Sequence, residues 1–256
     1  MTNFTGSDRI LYVLVDGLRH DYFKIYPELY ISRLASESVC ARLYEPLSFE
    51  LRPVYFAGLD PDASGIAHKY LYSPETSPYG FFRMLHGSFD MIPRFNWRIR
   101  KYVSIVLENL YRNRYNGHDL STYEIPLTFL PYFDRSEKKY PAAEGYLGEK
   151  TVFDMLRERK LPFLHCGYPD RDLKARSVFK YFKAGYNKNT RFVFLHFDEA
   201  DYAGHLHGPA SAEVGRALAG IDDAVKGAAA EMSKNGEKTD IVVFGDHGMS
   251  EVQNRI

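Results

Sequence analysis

Three nearly continuous apolar runs each close on an aspartate: RILYVLVD (residues 9–16), RFVFLHFD (191–198) and TDIVVFGD (239–246). Runs rich in β-branched and aromatic residues, with no alternation of polar positions, suit strands buried on both faces, as in a parallel sheet covered by helices. In such sheets ligands collect beyond the carboxyl ends of the strands. Strands that deliver Asp16, Asp198 and Asp246 to that edge predict one shared site. KLPFLHCGYP (160–169) reads as a fourth buried strand, and SVCARLYEP (38–46) as a weaker edge or connecting strand.

Helical patterns fill the intervals. TVFDMLRERK (151–160) carries Val152, Phe153 and Leu156 with a basic last turn. Residues 210–232 place Val214, Leu218, Ile221, Val225 and Met232 on one stripe, and Gly236 supplies a stop before the strand at 239. Strand, helix, strand in this order is the right-handed crossover of an α/β fold: a mostly parallel sheet flanked by helices on both faces. Residues 67–146 break the rhythm with crowded prolines and aromatics, and hold seven Lys/Arg against two acidic residues between Phe81 and Asn116. We expect an insertion or cap there, leaving 1–66 and 147–256 as the core. Inside it WRIRKYVSIVLENLYRNRY (97–115) has the pattern of an amphipathic helix, open to a solvated or a substrate-facing role.

A formal net charge of zero, with 26% charged and 45% apolar residues, excludes a global polyanion binder. No nucleic-acid partner is expected. No run approaches the roughly 18–20 apolar residues of a membrane span, and the amino terminus shows no secretory pattern, so a cytoplasmic protein is the expectation. Cys40 and Cys166 have neither disulfide-framework nor zinc-ribbon spacing and are expected as buried free thiols.

Chemistry concentrates at the carboxyl ends. HFDEADYAGHLHGP (196–209) sets Asp198, Glu199, Asp201, His205 and His207 within ten residues, and a curled loop would bring Asp201 and His205 to one ion. VVFGDHGMS (242–250) adds Asp246 and His247, adjacent residues that on extended chain would flank one ion or serve two.

VDGLRHDYF, LSFELRPVYFAGLDPDASGI, DEADYAGHLHGP and FGDHGM, in that order between Val15 and Met249, resemble the type I phosphodiesterase/nucleotide pyrophosphatase family of the alkaline phosphatase superfamily. The resemblance implies an alkaline phosphatase-like fold, two zinc ions, a Thr or Ser nucleophile and a small phosphorylated substrate that is nucleotide-, lipid- or sugar-linked. Carried over by position, Asp16, Asp246 and His247 would hold one zinc together with the nucleophile, and Asp201 and His205 the other. The family segment resembles Thr-Phe-Pro-Asn-His, then Gly-Leu-x-Pro, then Gly-Ile. Here Ser48-Phe49-Glu50-Leu51-Arg52, Gly58-Leu59-Asp60-Pro61 and Gly65-Ile66 keep that register, so Ser48 falls on the nucleophile. A serine hydroxyl attacks a phosphoester at neutral pH only when its pKa is lowered, as a bound zinc would do; a helix N-terminus just after Ser48 would assist.

The pattern departs in three places. Leu51 stands where the family carries an asparagine that donates to a phosphoryl oxygen, a donor worth roughly 3–4 kcal/mol in the transition state; Arg52 is expected to take its place on the substrate. The second zinc's further histidine has no counterpart in the ten residues after Asp246, so the chain is expected to be a piece of a longer protein, or His207 or water fills the position. The insertion does not resemble a nucleotide-binding segment. Three alternatives stand beside hydrolysis: a sulfatase, a phosphotransferase using the same residues, and a non-catalytic metal- and ligand-binding member. His20, His68, His86, His118 and His165 lack ligand-like neighbours, and Trp97 reads as cap packing.

Overall fold

The computed structural model describes residues 7–42, 50–85, 129–167 and 172–252, together with Tyr102, Ile105, Val106 and Ile125. Along them run β1 (Arg9–Val15), α1 (Tyr22–Ile25), α2 (Tyr30–Glu37), α3 (Arg52–Ala57), α4 (Pro61–Ser64), β2 (Tyr70–Tyr72), β3 (Phe133–Arg135), α5 (Val152–Glu158), β4 (Phe163–Cys166), α6 (Ala175–Gly185), β5 (Phe192–Phe197), α7 (Glu199–His207), α8 (Ala212–Met232) and β6 (Thr239–Phe244). They divide into two units, Met1–Glu45 with Met155–Ile256, and Pro46–Asp154.

The first unit is built on a four-stranded sheet of order β4-β5-β1-β6, parallel at every pairing. The apolar run 9–16 takes a central place because it has two parallel neighbours to satisfy: Val13 lies opposite Leu195 on one side and Val243 on the other. Leu11, Val13, Val15, Val193, Leu195 and Phe197 are buried in one cluster with residues of α2, α6 and α8. The predicted stripe of α8 is confirmed, with Val214, Leu218, Ile221, Val225 and Met232 wholly buried. On the alternate positions Tyr12 packs against Phe244, Phe194 and Phe192. Helix α2 starts at Leu29, which offers no side-chain cap; Asp222 of α8 accepts hydrogen bonds from the backbone N–H groups of Tyr30 (2.9 Å) and Ile31 (2.8 Å) instead. A buried aspartate thus ties two helices together by filling orphan donors.

The second unit is organised by charge. Its two-stranded antiparallel ribbon pairs Tyr70 with Arg135 and Tyr72 with Phe133. Just past the ribbon, Glu137 accepts hydrogen bonds from Arg52 Nε (3.1 Å) and Nη2 (2.7 Å), Glu50 lies 2.6 Å from the same Nη2, and Tyr146 donates to Glu137. Phe56 of α3 packs on Phe153 with ring centroids 5.1 Å apart. These contacts lie within the unit that spans Pro46–Asp154.

Several expectations need correction. Residues 38–42 form no strand: they are exposed, Val39 almost completely, and β1 already has β5 and β6 as its neighbours. Cys40 on that stretch is exposed, while Cys166 at the end of β4 is buried. Of the predicted helix 97–115, the described residues Tyr102, Ile105 and Val106 are helical and exposed, and Trp97 lies outside the described residues. No described helix is long and apolar enough to cross a membrane.

A buried cation that loses its bidentate partner keeps only Glu50 as a counter-charge, so Glu137→Gln should cost the protein about 3 kcal/mol in denaturant unfolding. Burial, with the charge of Glu137, pushes Glu50 up from 4.5 to about 7 against the pull of Arg52. Between those values the folded chain binds the extra proton, so stability should fall as pH rises from about 4.5 to 7. Glu50→Gln should flatten that slope in melting curves collected across the window.

Candidate metal centre

The site begins with the ladder. Because β5, β1 and β6 are adjacent and parallel, the residues that follow them emerge at one edge. Asp16 directly follows β1, Asp198 directly follows β5, and Asp246 lies two residues past β6. The ladder continues one step beyond β1, where Asp16 N–H donates to Phe197 C=O at 2.8 Å and fixes the aspartate backbone. Gly17 then turns the chain with φ +70° and donates its N–H to Asp246 Oδ1 at 3.1 Å. A β-carbon on Gly17 would stand 3.1 Å from the Asp201 Cα, so its absence lets Asp201 approach Asp16. Gly245 does the same for the facing loop, since a β-carbon there would meet the Leu18 carbonyl oxygen at 2.8 Å.

The segment after β5 is helix α7, not the curled loop expected from its glycines. Asp201 and His205 are therefore neighbours by helical spacing, one turn apart, with His205 Nε2 3.4 Å from Asp201 Oδ1. Glu199 in the first turn is spent elsewhere: it accepts a hydrogen bond from Ala175 N–H at the start of α6. His207 is exposed on the last turn.

His247 joins the two halves. Its Nε2 lies 3.1 Å from Asp16 Oδ1, and 3.9 Å from both Asp246 Oδ2 and Asp201 Oδ1. The contact to Asp16 is close but not aligned as a hydrogen bond, so Asp16 Oδ1 and Asp201 Oδ1 are both buried atoms without a hydrogen-bond partner. Burial acts to raise the Asp16 carboxyl, but the imidazoles of His196 and His247 outweigh it and hold it well below the ordinary range. Burial and the nearby Asp16 charge push Asp246 up to about 6, and the same two causes raise Asp201. His247 is pushed up to about 10 by its contact with Asp16. The cluster thus carries more negative charge than its own groups neutralise.

Asp16, Asp246 and His247 offer ligand atoms that all lie within 4.8 Å of one another. Two ligands about 2.1 Å from a tetrahedral zinc stand about 3.4 Å apart, and carboxylate oxygen with imidazole nitrogen is a suitable donor set. The orphaned oxygens of Asp16 and Asp201 are what a bound cation would satisfy. These three residues fit a metal, and Asp201 and His205 lie beside them, 3.4 Å from each other.

The remaining expected site residues lie apart from this description. Ser48 falls in 43–49, outside the described residues. Helix α3 begins at Arg52 with Leu51 at its N-cap. Leu51 is buried, and the Arg52 guanidinium is held by Glu50 and Glu137. Sequence reading passed over His196: it stands inside an apolar strand with no ligand-like spacing, and only the packing of β5 beside β1 brings its Nε2 to 4.0 Å from Asp16 Oδ2.

A family model described as type I phosphodiesterase / nucleotide pyrophosphatase matches residues 10–256. Comparison with curated proteins finds no match.

The cation-free cluster makes a pH signature. The Asp16–His247 pair contributes stability that is fully present below the unfolded histidine value near 6.5 and is lost as pH rises through about 10. Melting temperatures in chelator should therefore decline from about pH 7 to 10, and His247→Ala should be less stable at pH 7 with a flatter profile.

Proposed function

The chain belongs to the type I phosphodiesterase/nucleotide pyrophosphatase family of the alkaline phosphatase superfamily, and from that premise we propose that it is a two-zinc phosphoesterase with Ser48 as its nucleophile. The family is one of hydrolases, and the parallel four-stranded sheet flanked by helices agrees with an alkaline phosphatase-like fold. The observation that carries the reading is the convergence of Asp16, Asp246 and His247 at one sheet edge, beside buried oxygens of Asp16 and Asp201 that have no hydrogen-bond partner.

In this reading Asp16, Asp246, His247 and Ser48 hold one zinc, and Asp201 and His205 hold the other. Bound there, zinc would lower the pKa of the serine hydroxyl and of a water, and polarise a phosphoryl oxygen. Ser48 Oγ attacks phosphorus, the bond from phosphorus to the leaving oxygen breaks in line, and the resulting phosphoserine is cleaved by water, which releases phosphate or a phosphomonoester. Asp246, whose carboxyl is raised while no cation is present, becomes an ionised ligand on binding, and His247 gives up a proton. Arg52, already countered by Glu50 and Glu137, meets the substrate as part of a carboxylate-bound network rather than as a lone cation. The substrate is a small phosphorylated molecule.

Hydrolysis of bis-p-nitrophenyl phosphate and p-nitrophenyl phosphate, with added zinc, tests this directly. Ser48→Ala should lose at least about a hundredfold in rate. Equal rates for the two proteins would remove Ser48 as nucleophile, and a single calcium with a chemically modified Ser48 would point to sulfate ester chemistry instead.

A further inference from the structure

His196 has no part in the ligand set above, yet its buried Nε2 faces that set from β5. It sits on β5 opposite Leu14 of β1, one residue before the Phe197 carbonyl that receives Asp16 N–H. Its side chain is 14% exposed, and Nε2 is buried without a hydrogen-bond partner, 4.0 Å from Asp16 Oδ2. The two oxygens of Asp16 thus face different imidazoles, Oδ1 toward His247 and Oδ2 toward His196. The seat is prepared from the other side as well: a β-carbon on Gly167, just past β4, would come 3.0 Å from the His196 Cβ and 2.8 Å from the Phe194 ring.

We infer that His196 is a positioning residue that holds Asp16 through Oδ2 and so presents Oδ1 to a cation. The inference rests on the metal reading of Asp16. Carboxylate ligands that take a second hydrogen bond from outside the coordination shell are held in one rotamer, and losing that partner typically costs 10–100-fold in metal affinity. A closing movement of about 1 Å brings Nε2 to ordinary hydrogen-bond distance, and with a ring proton on Nε2 the imidazole is the donor. No ligand role for His196 is needed, since the described group whose atoms lie within mutual reach is Asp16, Asp246 and His247.

The test is a competitive zinc titration of the whole chain against a chromophoric chelator, paired with melting temperatures in chelator alone. His196→Ala should weaken zinc binding about 10–100-fold while the metal-free melting temperature holds or rises, because a buried donor without a partner has been removed. His196→Gln, which restores an N–H donor, should recover most of the affinity. Zinc affinity of His196→Ala within about threefold of wild type would overturn the inference, as would a fall in metal-free melting temperature with no rescue by glutamine, the mark of a merely structural residue. Wild type binding zinc no better than Asp16→Asn would overturn the metal reading itself, and the positioning role with it.

Discussion

The parallel ladder that sets β1 between β5 and β6 is the constraint on which the site depends. Each strand alone would leave its terminal carboxylate in solvent at an arbitrary place. Paired in parallel with Val13 level with Leu195 and Val243, they deliver Asp16, Asp198 and Asp246 to one edge. The final rung, Asp16 N–H to Phe197 C=O, carries the order of the sheet into the first residue of the loop. The loops beyond can then lie against each other only because Gly17 and Gly245 have no side chain in the way.

That convergence is electrostatically costly. Asp16, Asp201 and Asp246 are brought together where water is partly excluded: burial and the Asp16 charge raise the Asp246 carboxyl to about 6, while His247, raised to about 10 by its contact with Asp16, offsets part of that charge. Like charges gathered where water is partly excluded disfavour one another's ionisation unless a positive group lies among them. Helix α7 serves the same end by different means. Helical spacing places His205 one turn beyond Asp201, so these two side chains are aligned by backbone geometry rather than by a flexible loop.

The second unit answers its own charge differently. Arg52 is enclosed by Glu50 and Glu137, with Tyr146 donating to the latter, so a buried cation is matched within the unit. This network changes the meaning of the FELR stretch. An arginine met in the sequence two positions past a glutamate looks available to a phosphate, while in the fold its charge is already engaged 85 residues away in the chain.

The sequence by itself determined the four parallel strands, the long helix α8 and the family, since buried strands and amphipathic helices are written in hydrophobic periodicity and the four motifs keep their order. It also named Asp16, Asp201, His205, Asp246 and His247, because ligand-type residues clustered at strand ends are rare without a purpose. Ser48 was put forward only through the resemblance. Tertiary structure alone decided which carboxylates share a cation-sized space, that residues 38–42 stay out of the sheet, and that Arg52 is bound to Glu137. It alone brought His196 beside Asp16. These are contacts between residues far apart in the chain, set by strand order and packing, and no local pattern of residue types encodes them.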